Sequence, residues 1–199
     1  MKKNQADELI AEKQLRAFYN NDFIRVYQAY SDTIADSALA HGTFVSPPFS
    51  MTRMTWIKPS FLWMMYRSGW GKKDPNQHRI LAIDLTHDGF KQILNQGILS
   101  HHRYSGAEEA EWQSQIKASD VVIQWDPERD IRLNKLDHRT IQIGLRNQAV
   151  ADYCQKWIVN ITDITELAAK IHELVESERI NEALALLPEE RVYDIGLRS

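Results

Sequence analysis

Charged and amide side chains interrupt four segments whose composition is otherwise typical of β-strands. The segments are FIRVYQAY (23–30), MTRMTWIK (51–58), VVIQWDPER (121–129) and RTIQIGL (139–145). An arginine or an amide inside an apolar strand is costly unless each of its polar atoms finds a hydrogen-bond partner. Because the same feature recurs in four strands, the sequence predicts that their polar side chains converge on one site.

The polar residues of these segments, with those of the helix that follows the second, are cations, amides and acids. Cations bind phosphate and carboxylate groups, amides orient a ligand, and a carboxylate can act as a general base or electrostatic partner. The residues predicted to bind substrate or phosphate are Arg53, Lys58, Arg67, Arg139, Gln28, Gln124 and Gln142. The residues predicted to be catalytic are Glu128, Asp126 and Arg25.

The charge balance of the four strand segments favours an anionic ligand. Their cations are Arg25, Arg53, Arg129, Arg139 and Lys58, and the acids near them are Asp126 and Glu128. If these groups converge, cationic donors are in excess, and a phosphate or carboxylate would satisfy them. Two structural alternatives stay open: the cations can extend into water over their apolar stems, or they can form a closed network with the two acids.

The elements that must position these residues predict an α+β fold. PSFLWMMYRSG (59–69) is predicted to be a helix, with Pro59 as its first residue and Gly69 as its stop. HRILAIDL (78–85) is a continuous apolar strand, and the last third of the chain has helical periodicity. We expect a single domain over 1–199, with a mixed or antiparallel sheet packed by helices. Its core would span about 14–165, followed by a helical extension over about 166–199.

Composition narrows the class of protein. The 199 residues are 43% hydrophobic, enough for one substantial core. A net charge of −3 argues against a general polyanion binder, although residues 42–103 are locally basic. The single cysteine, Cys154, excludes an internal disulfide and a Cys-rich zinc site, so no metal is expected. No apolar run approaches membrane-spanning length and the N-terminus lacks a signal-peptide core, which predicts a soluble cytoplasmic protein without membrane partners.

The same segments resemble the domain-of-unknown-function family 4291. The words that carry the resemblance are IRVYQAY, RMTWIKPSFLWMMYRSGW, QWDPER and TIQIGL. The last has Thr140 where the family pattern usually has Ser. The resemblance covers about residues 14–165, and the family name implies no activity.

A second likeness is to ADP-ribosyltransferase-like folds. These place a polar residue on an early strand, an aromatic or hydroxyl residue on a second strand and a Glu near a late strand. Arg25, the step from Thr55 to Trp56, and Glu128 occur in that order. The typical Ser-Thr-Ser and Gln/Glu-x-Glu motifs do not occur at these positions, which puts catalysis by that route in doubt.

These observations predict an enzyme that acts on a nucleotide or another phosphorylated substrate. ADP-ribosyl transfer from NAD is the most concrete version, with NAD or another nucleotide as the ligand. The alternative is a non-enzymatic binding module that recognises a phosphorylated ligand or a nucleic-acid end through the same cations.

Overall fold

A computed structural model describes residues 13–101 and 108–194 of the chain. In this part the strands are β1 Arg16–Ala17, β2 Phe23–Tyr30, β3 Thr55–Ile57, β4 Arg79–Thr86, β5 Gly97–Leu99, β6 Val121–Arg129, β7 Lys135–Leu145, β8 Ile158–Asp163 and β9 Arg191–Val192. The helices are α1 Asp32–His41, α2 Phe61–Ser68, α3 His87–Gln96, α4 Glu109–Ala118, α5 Gln148–Asp152, α6 Thr165–Glu176 and α7 Ile180–Ala185. A 3-10 turn covers Pro75–Gln77, and a π-helical turn, Tyr153–Trp157, continues α5.

Strand β4 is the centre of a three-stranded antiparallel sheet in the order β2-β4-β8. Its alternate residues belong to two hydrophobic cores: Leu81 and Ile83 pack in one, and Ile80 and Ala82 pack in the other. A strand covered on both faces has a nearly continuous run of apolar residues, here interrupted by Asp84. This explains why the segment shows no alternation of polar and apolar residues.

The second sheet is mixed and has the order β3-β7-β6-β5. Strand β5 runs parallel to β6, whereas the β6–β7 and β3–β7 pairs are antiparallel. In the long β6–β7 pair, Gln124 lies opposite Gln142 and Asp126 lies opposite Thr140. The prediction of an α+β domain with antiparallel and mixed sheets packed by helices is confirmed.

The two sheets are joined by one backbone contact between β2 and the residue after β3. The amide nitrogen of Tyr27 donates a hydrogen bond to the carbonyl oxygen of Lys58 over 2.7 Å. Tyr27 is fully buried, and Lys58 is only 6% exposed. The contact therefore fixes Lys58 in the seam between the sheets.

Helix α2 begins two residues later than Pro59, the start that the sequence predicted. Its N-cap is Ser60, whose Oγ accepts a hydrogen bond from the amide of Trp63 over 3.1 Å. Oε1 of Glu190 accepts a hydrogen bond from the backbone amide of Phe61 over 2.7 Å. An acid distant in sequence thus satisfies a second free N–H group in the first turn of the helix. The helix ends at Gly69 as predicted, in the left-handed conformation with φ 58°.

The helices near the C-terminus complete the second core. Ala168, Ile171 and Leu174 of α6 and Ala183 of α7 pack with Tyr27 in that core. The described chain then ends in β9, which pairs antiparallel with β1 rather than continuing as a helix. Among the described residues, no helix combines the length and the apolar character needed to cross a membrane.

Arg25 lies in a paired, partly buried position on β2. Its Nε and Nη2 donate to the two carboxylate oxygens of Asp84 on β4, over 2.7 and 2.9 Å. The guanidinium also lies over the rings of Phe18 and Phe23. Because Asp84 is opposite Arg25 in the β2–β4 register, this bidentate pair helps to fix how the two strands align.

We expect Asp84→Asn to lower the free energy of unfolding by about 3 kcal/mol, because it leaves the partly buried guanidinium of Arg25 without its counter-charge. Urea denaturation measures this change. The matched control is Asp36→Asn, which removes an exposed partner of Arg79 and should cost less than about 1 kcal/mol. Equal losses in the two variants would contradict the structural role of the Arg25–Asp84 pair.

Candidate functional site

A cleft of about 880 Å³ opens where β2, β3, β6 and β7 meet helix α2. Loop residues on either side of these elements complete its wall. Seven of the ten residues predicted from the sequence to form a site line this cleft: Gln28, Arg53, Lys58, Arg67, Gln124, Asp126 and Gln142. The cleft is therefore the candidate functional site.

The other three predicted residues are held elsewhere. Arg25 is paired with Asp84, as described above, and Arg139 donates from Nη1 to the carbonyl of Trp125 over 3.1 Å. Glu128 is buried, and its Oε1 accepts hydrogen bonds from Ser60 Oγ and from the amide of Arg129. None of the three lines the cleft. The structure thus corrects the expectation that they share a pocket with the other seven.

Strand geometry explains these three positions. Arg25 is three residues from Gln28, and Arg139 is three residues from Gln142, so each points to the opposite face from its cleft-lining neighbour. The register of β6 against β7 shifts between Pro127 and Arg129, so the alternation that joins Gln124 and Asp126 does not extend to Glu128.

Gln28 organises a buried polar network at the base of the cleft. Its Nε2 donates to Thr55 Oγ1 over 2.7 Å and to Tyr30 OH over 2.9 Å, and its Oε1 accepts from Tyr153 OH over 2.7 Å. The two hydroxyls of Tyr30 and Thr55 also lie 2.8 Å apart. Since both ends of the amide are engaged, Gln28 orients these hydroxyls rather than binding a ligand itself.

Tyr30 and Thr55 line the cleft but were not predicted as site residues. For Thr55 the sequence did contain a sign of a role in the site, because the likeness to ADP-ribosyltransferase-like folds includes the step from Thr55 to Trp56. For Tyr30, the relevant signal was its position two residues from Gln28 on the same strand face.

The carboxylate of Asp126 is held by two amides. Gln124 donates to its Oδ1 over 2.9 Å, and Gln142 donates to its Oδ2 over 2.6 Å. The three residues lie on adjacent positions of β6 and β7. Two hydrogen bonds to a carboxylate fix its orientation. Asp126 is therefore a preoriented carboxylate in the cleft.

Three cations line the cleft in two environments. Arg53 and Arg67 are exposed, and within residues 13–101 and 108–194 their guanidinium groups make no hydrogen bond or ion pair. Arg53 lies in a bend rather than in the predicted strand, because β3 begins only at Thr55. The backbone amide of Arg53 donates a hydrogen bond to Ser50 Oγ in this bend. Both guanidiniums are thus available to an anion.

Lys58 is the buried cation of the cleft. Its Nζ donates to the carbonyl of Trp56 over 3.2 Å, and within the described residues it has no carboxylate at ion-pair distance. Burial, with a smaller contribution from the charge of Arg67, lowers the pKa of Lys58 to about 7, although Asp126 acts in the opposite direction. Near neutral pH the amine is thus close to half-protonated.

The acids that line the cleft do not balance its cations. They are Asp74 and Asp126, against Arg53, Lys58 and Arg67. Asp74 caps the 3-10 turn through the amide of Asn76 over 2.8 Å, so its carboxylate has a local role. Because Asp74 and Asp126 are engaged in hydrogen bonds within the protein, the guanidiniums of Arg53 and Arg67 stay open to an anionic ligand.

Aromatic side chains form another part of the wall. Trp56 packs over Gly144 of β7, where a Cβ atom would lie 3.1 Å from the indole ring. On α2, the rings of Trp63 and Tyr66 stack with centroids 5.1 Å apart. The Nε1 of Trp63 is buried and has no hydrogen-bond partner among the described residues. Flat rings beside cations suit a ligand that combines an aromatic base with phosphate.

Within the described ranges, no group of three or more His, Cys, Asp and Glu side chains is placed to hold a metal ion.

We expect Lys58 to contribute a stability that rises with pH above about 7. Its pKa is about 7 in the folded state, against 10.5 for a lysine side chain free in water, so between these values the unfolded chain binds the extra proton. This contribution to the free energy of unfolding should increase by up to about 1.4 kcal/mol per pH unit, whereas Glu190, whose pKa burial raises to about 8, contributes in the opposite direction below that value. Urea denaturation of the natural chain and of Lys58→Met at pH 7, 8 and 9 measures it.

Lys58→Met is the matched control because every other titrating group remains. The difference between the two proteins should change with pH in the direction stated. A difference that stays constant from pH 7 to pH 9 would contradict the lowered pKa of Lys58.

The comparisons with known proteins identify the family without an activity. Residues 14–193 match the family described as "Domain of unknown function (DUF4291)". This match begins where the resemblance placed it and continues beyond residue 165 through α6, α7 and β9. No curated protein matches the chain. Because the match covers most of the 199 residues, the chain belongs to the DUF4291 family.

Proposed function

We propose that the cleft binds a nucleotide or another phosphorylated substrate, and that the protein is a transferase acting on it. The observation that carries this proposal is that the guanidiniums of Arg53 and Arg67 line the cleft without a carboxylate partner among the described residues. Both have donors free for phosphate oxygens, and a guanidinium can hold a phosphate in a bidentate manner.

The aromatic wall supports a nucleotide over a simple phosphate. Trp56 is half-buried and lines the cleft, so it offers ring surface to a base. The ring of Tyr66 is covered by the guanidinium of Arg129, 3.7 Å from the ring centroid, and extends the aromatic wall beside it. The unpartnered Nε1 of Trp63 is a donor for which a ligand acceptor would supply the missing hydrogen bond. A phosphate alone would not stack on the ring of Trp56.

ADP-ribosyl transfer from NAD is the most specific form of the proposal. Cleavage of the bond between ribose and nicotinamide builds positive charge on the sugar, and a preoriented carboxylate stabilises such charge. Asp126 is the carboxylate suited to this role, because Gln124 and Gln142 hold both of its oxygens. In this form of the proposal, Thr55 and Tyr30 take the role that the sequence predicted for Arg25 on an early strand. Asp126 takes the role predicted for Glu128.

We expect NAD, ADP-ribose or ATP to raise the unfolding temperature of the protein, because a ligand that binds only the folded state stabilises it. Arg53→Ala and Arg67→Ala should each weaken the affinity about tenfold or more, since a charge-assisted hydrogen bond contributes about 1.5–3 kcal/mol. Thermal-shift and calorimetric titrations measure both effects. Lys91→Ala, an exposed cation on α3 outside the cleft, is the control. No stabilisation by any of the three ligands would overturn the proposal.

A non-enzymatic binding module is the second candidate. The observation that favours it is that Asp126 already accepts two amide hydrogen bonds, which suits a structural carboxylate as well as a catalytic one. Such a module would use the same cations to hold a phosphorylated partner or a nucleic-acid end.

Asp126→Asn separates the two candidates. It removes the negative charge from the cleft, so we expect anion binding to be unchanged or tighter in either case. If the protein is a transferase, turnover of NAD, followed as release of nicotinamide, should fall about 100-fold or more. Glu128→Gln, outside the cleft, is the matched control and should retain turnover. A natural chain that binds the ligand tightly but never turns it over would support the binding module.

A further inference from the structure

We propose that the amine of Lys58 forms a covalent imine with an aldehyde or ketone carbon of a phosphorylated ligand in the cleft. The inference rests on the proposed binding of a phosphorylated group by Arg53 and Arg67. It adds a chemical step and a substrate class: carbonyl compounds that carry phosphate, including the open-chain forms of sugar phosphates.

The position of Lys58 is the first support. The backbone bond from Tyr27 fixes Lys58 in the seam between the sheets, and the side chain lines the cleft. A nucleophile held by rigid strands attacks a bound carbonyl in a defined direction. Lys72 and Lys73 are exposed and lie outside the strands, and the Nζ of Lys72 lies 2.8 Å from Nδ1 of His172.

The surroundings of Lys58 are the second support. Its only hydrogen bond within the described chain is to the carbonyl of Trp56, and its would-be counter-ion, Asp126, is occupied by Gln124 and Gln142. Burial and the nearby guanidinium of Arg67 lower the pKa of the Lys58 amine. A neutral amine has a free electron pair and is the reactive form in imine formation.

The step balances without an oxidant or a reductant. The nitrogen of Lys58 adds to the carbonyl carbon, and one of its protons moves to the oxygen. The oxygen then takes a second proton and leaves as water while the nitrogen gives up its other proton, so a C=N bond replaces the C=O bond. Asp126 is the acid–base group of the cleft that can accept and return these protons. The phosphate stays on Arg53 and Arg67 throughout.

Pyridoxal 5′-phosphate is a suitable probe because it carries an aldehyde and a phosphate in one small molecule. The natural chain is incubated with one equivalent at pH 7, reduced with borohydride and digested. Mass spectrometry then locates the reduced adduct. We expect most of the label on Lys58, with less than a tenth as much on Lys72 or Lys73. In Lys58→Arg the label at this peptide should disappear, and circular dichroism should show that the variant is folded.

Two analogues separate the inference from the function on which it rests. Pyridoxine 5′-phosphate has the phosphate but an alcohol in place of the aldehyde, so it tests anion binding alone. It should bind the natural chain, compete with the labelling and bind much less well to Arg53→Ala. Pyridoxal without phosphate tests the aldehyde alone and should label Lys58 at least tenfold more slowly.

Each outcome has a definite meaning. Label on Lys58 that pyridoxine 5′-phosphate prevents supports the proposal. If pyridoxine 5′-phosphate binds in the cleft but Lys58 is not labelled, the imine is overturned while the phosphate site stands. If pyridoxine 5′-phosphate does not bind and the label is spread over exposed lysines, both the imine and the proposed binding site fail.

Discussion

Burial of the Lys58 ammonium in the seam between two sheets is the constraint on which the cleft depends. A lysine is almost never buried unless a partner compensates for the loss of water. Here the backbone bond between Tyr27 and Lys58 forces the residue inward, and its nearest compensation is the carbonyl of Trp56. Protonation is therefore costly, and the folded protein favours either a neutral amine or a bound anion.

The polar groups of the cleft differ in how much freedom they retain. Gln28, Gln124 and Gln142 are tied into hydrogen bonds with other side chains, which makes them part of the scaffold. Arg53 and Arg67 are exposed and unpaired within the described chain. A rigid floor with adaptable cations at its rim is a common arrangement for a site that must fit one anion closely and still admit it quickly.

Much of this architecture could be predicted from local sequence patterns. Polar residues in four apolar segments indicated a shared site. Period-two alternation places Gln124 and Asp126 on one strand face, and it separates Arg25 from Gln28 and Arg139 from Gln142. What local patterns could not supply were features that depend on other parts of the fold. Tyr153 completes the bonds of Gln28 from 125 positions away, Ser60 engages Glu128, and the irregular register at Pro127 breaks the alternation.

The cap that Glu190 places on helix α2 has a consequence for how the protein is made. Its carboxylate meets the amide of Phe61 across 129 positions of sequence, whereas the rest of the α2 cap comes from neighbouring Ser60. During synthesis the ribosome releases Phe61 long before Glu190, and chains fold progressively as they emerge. The wall of the cleft that carries Trp63 and Arg67 thus reaches its final form only after Glu190 has emerged, which couples this wall to a segment that is synthesised much later.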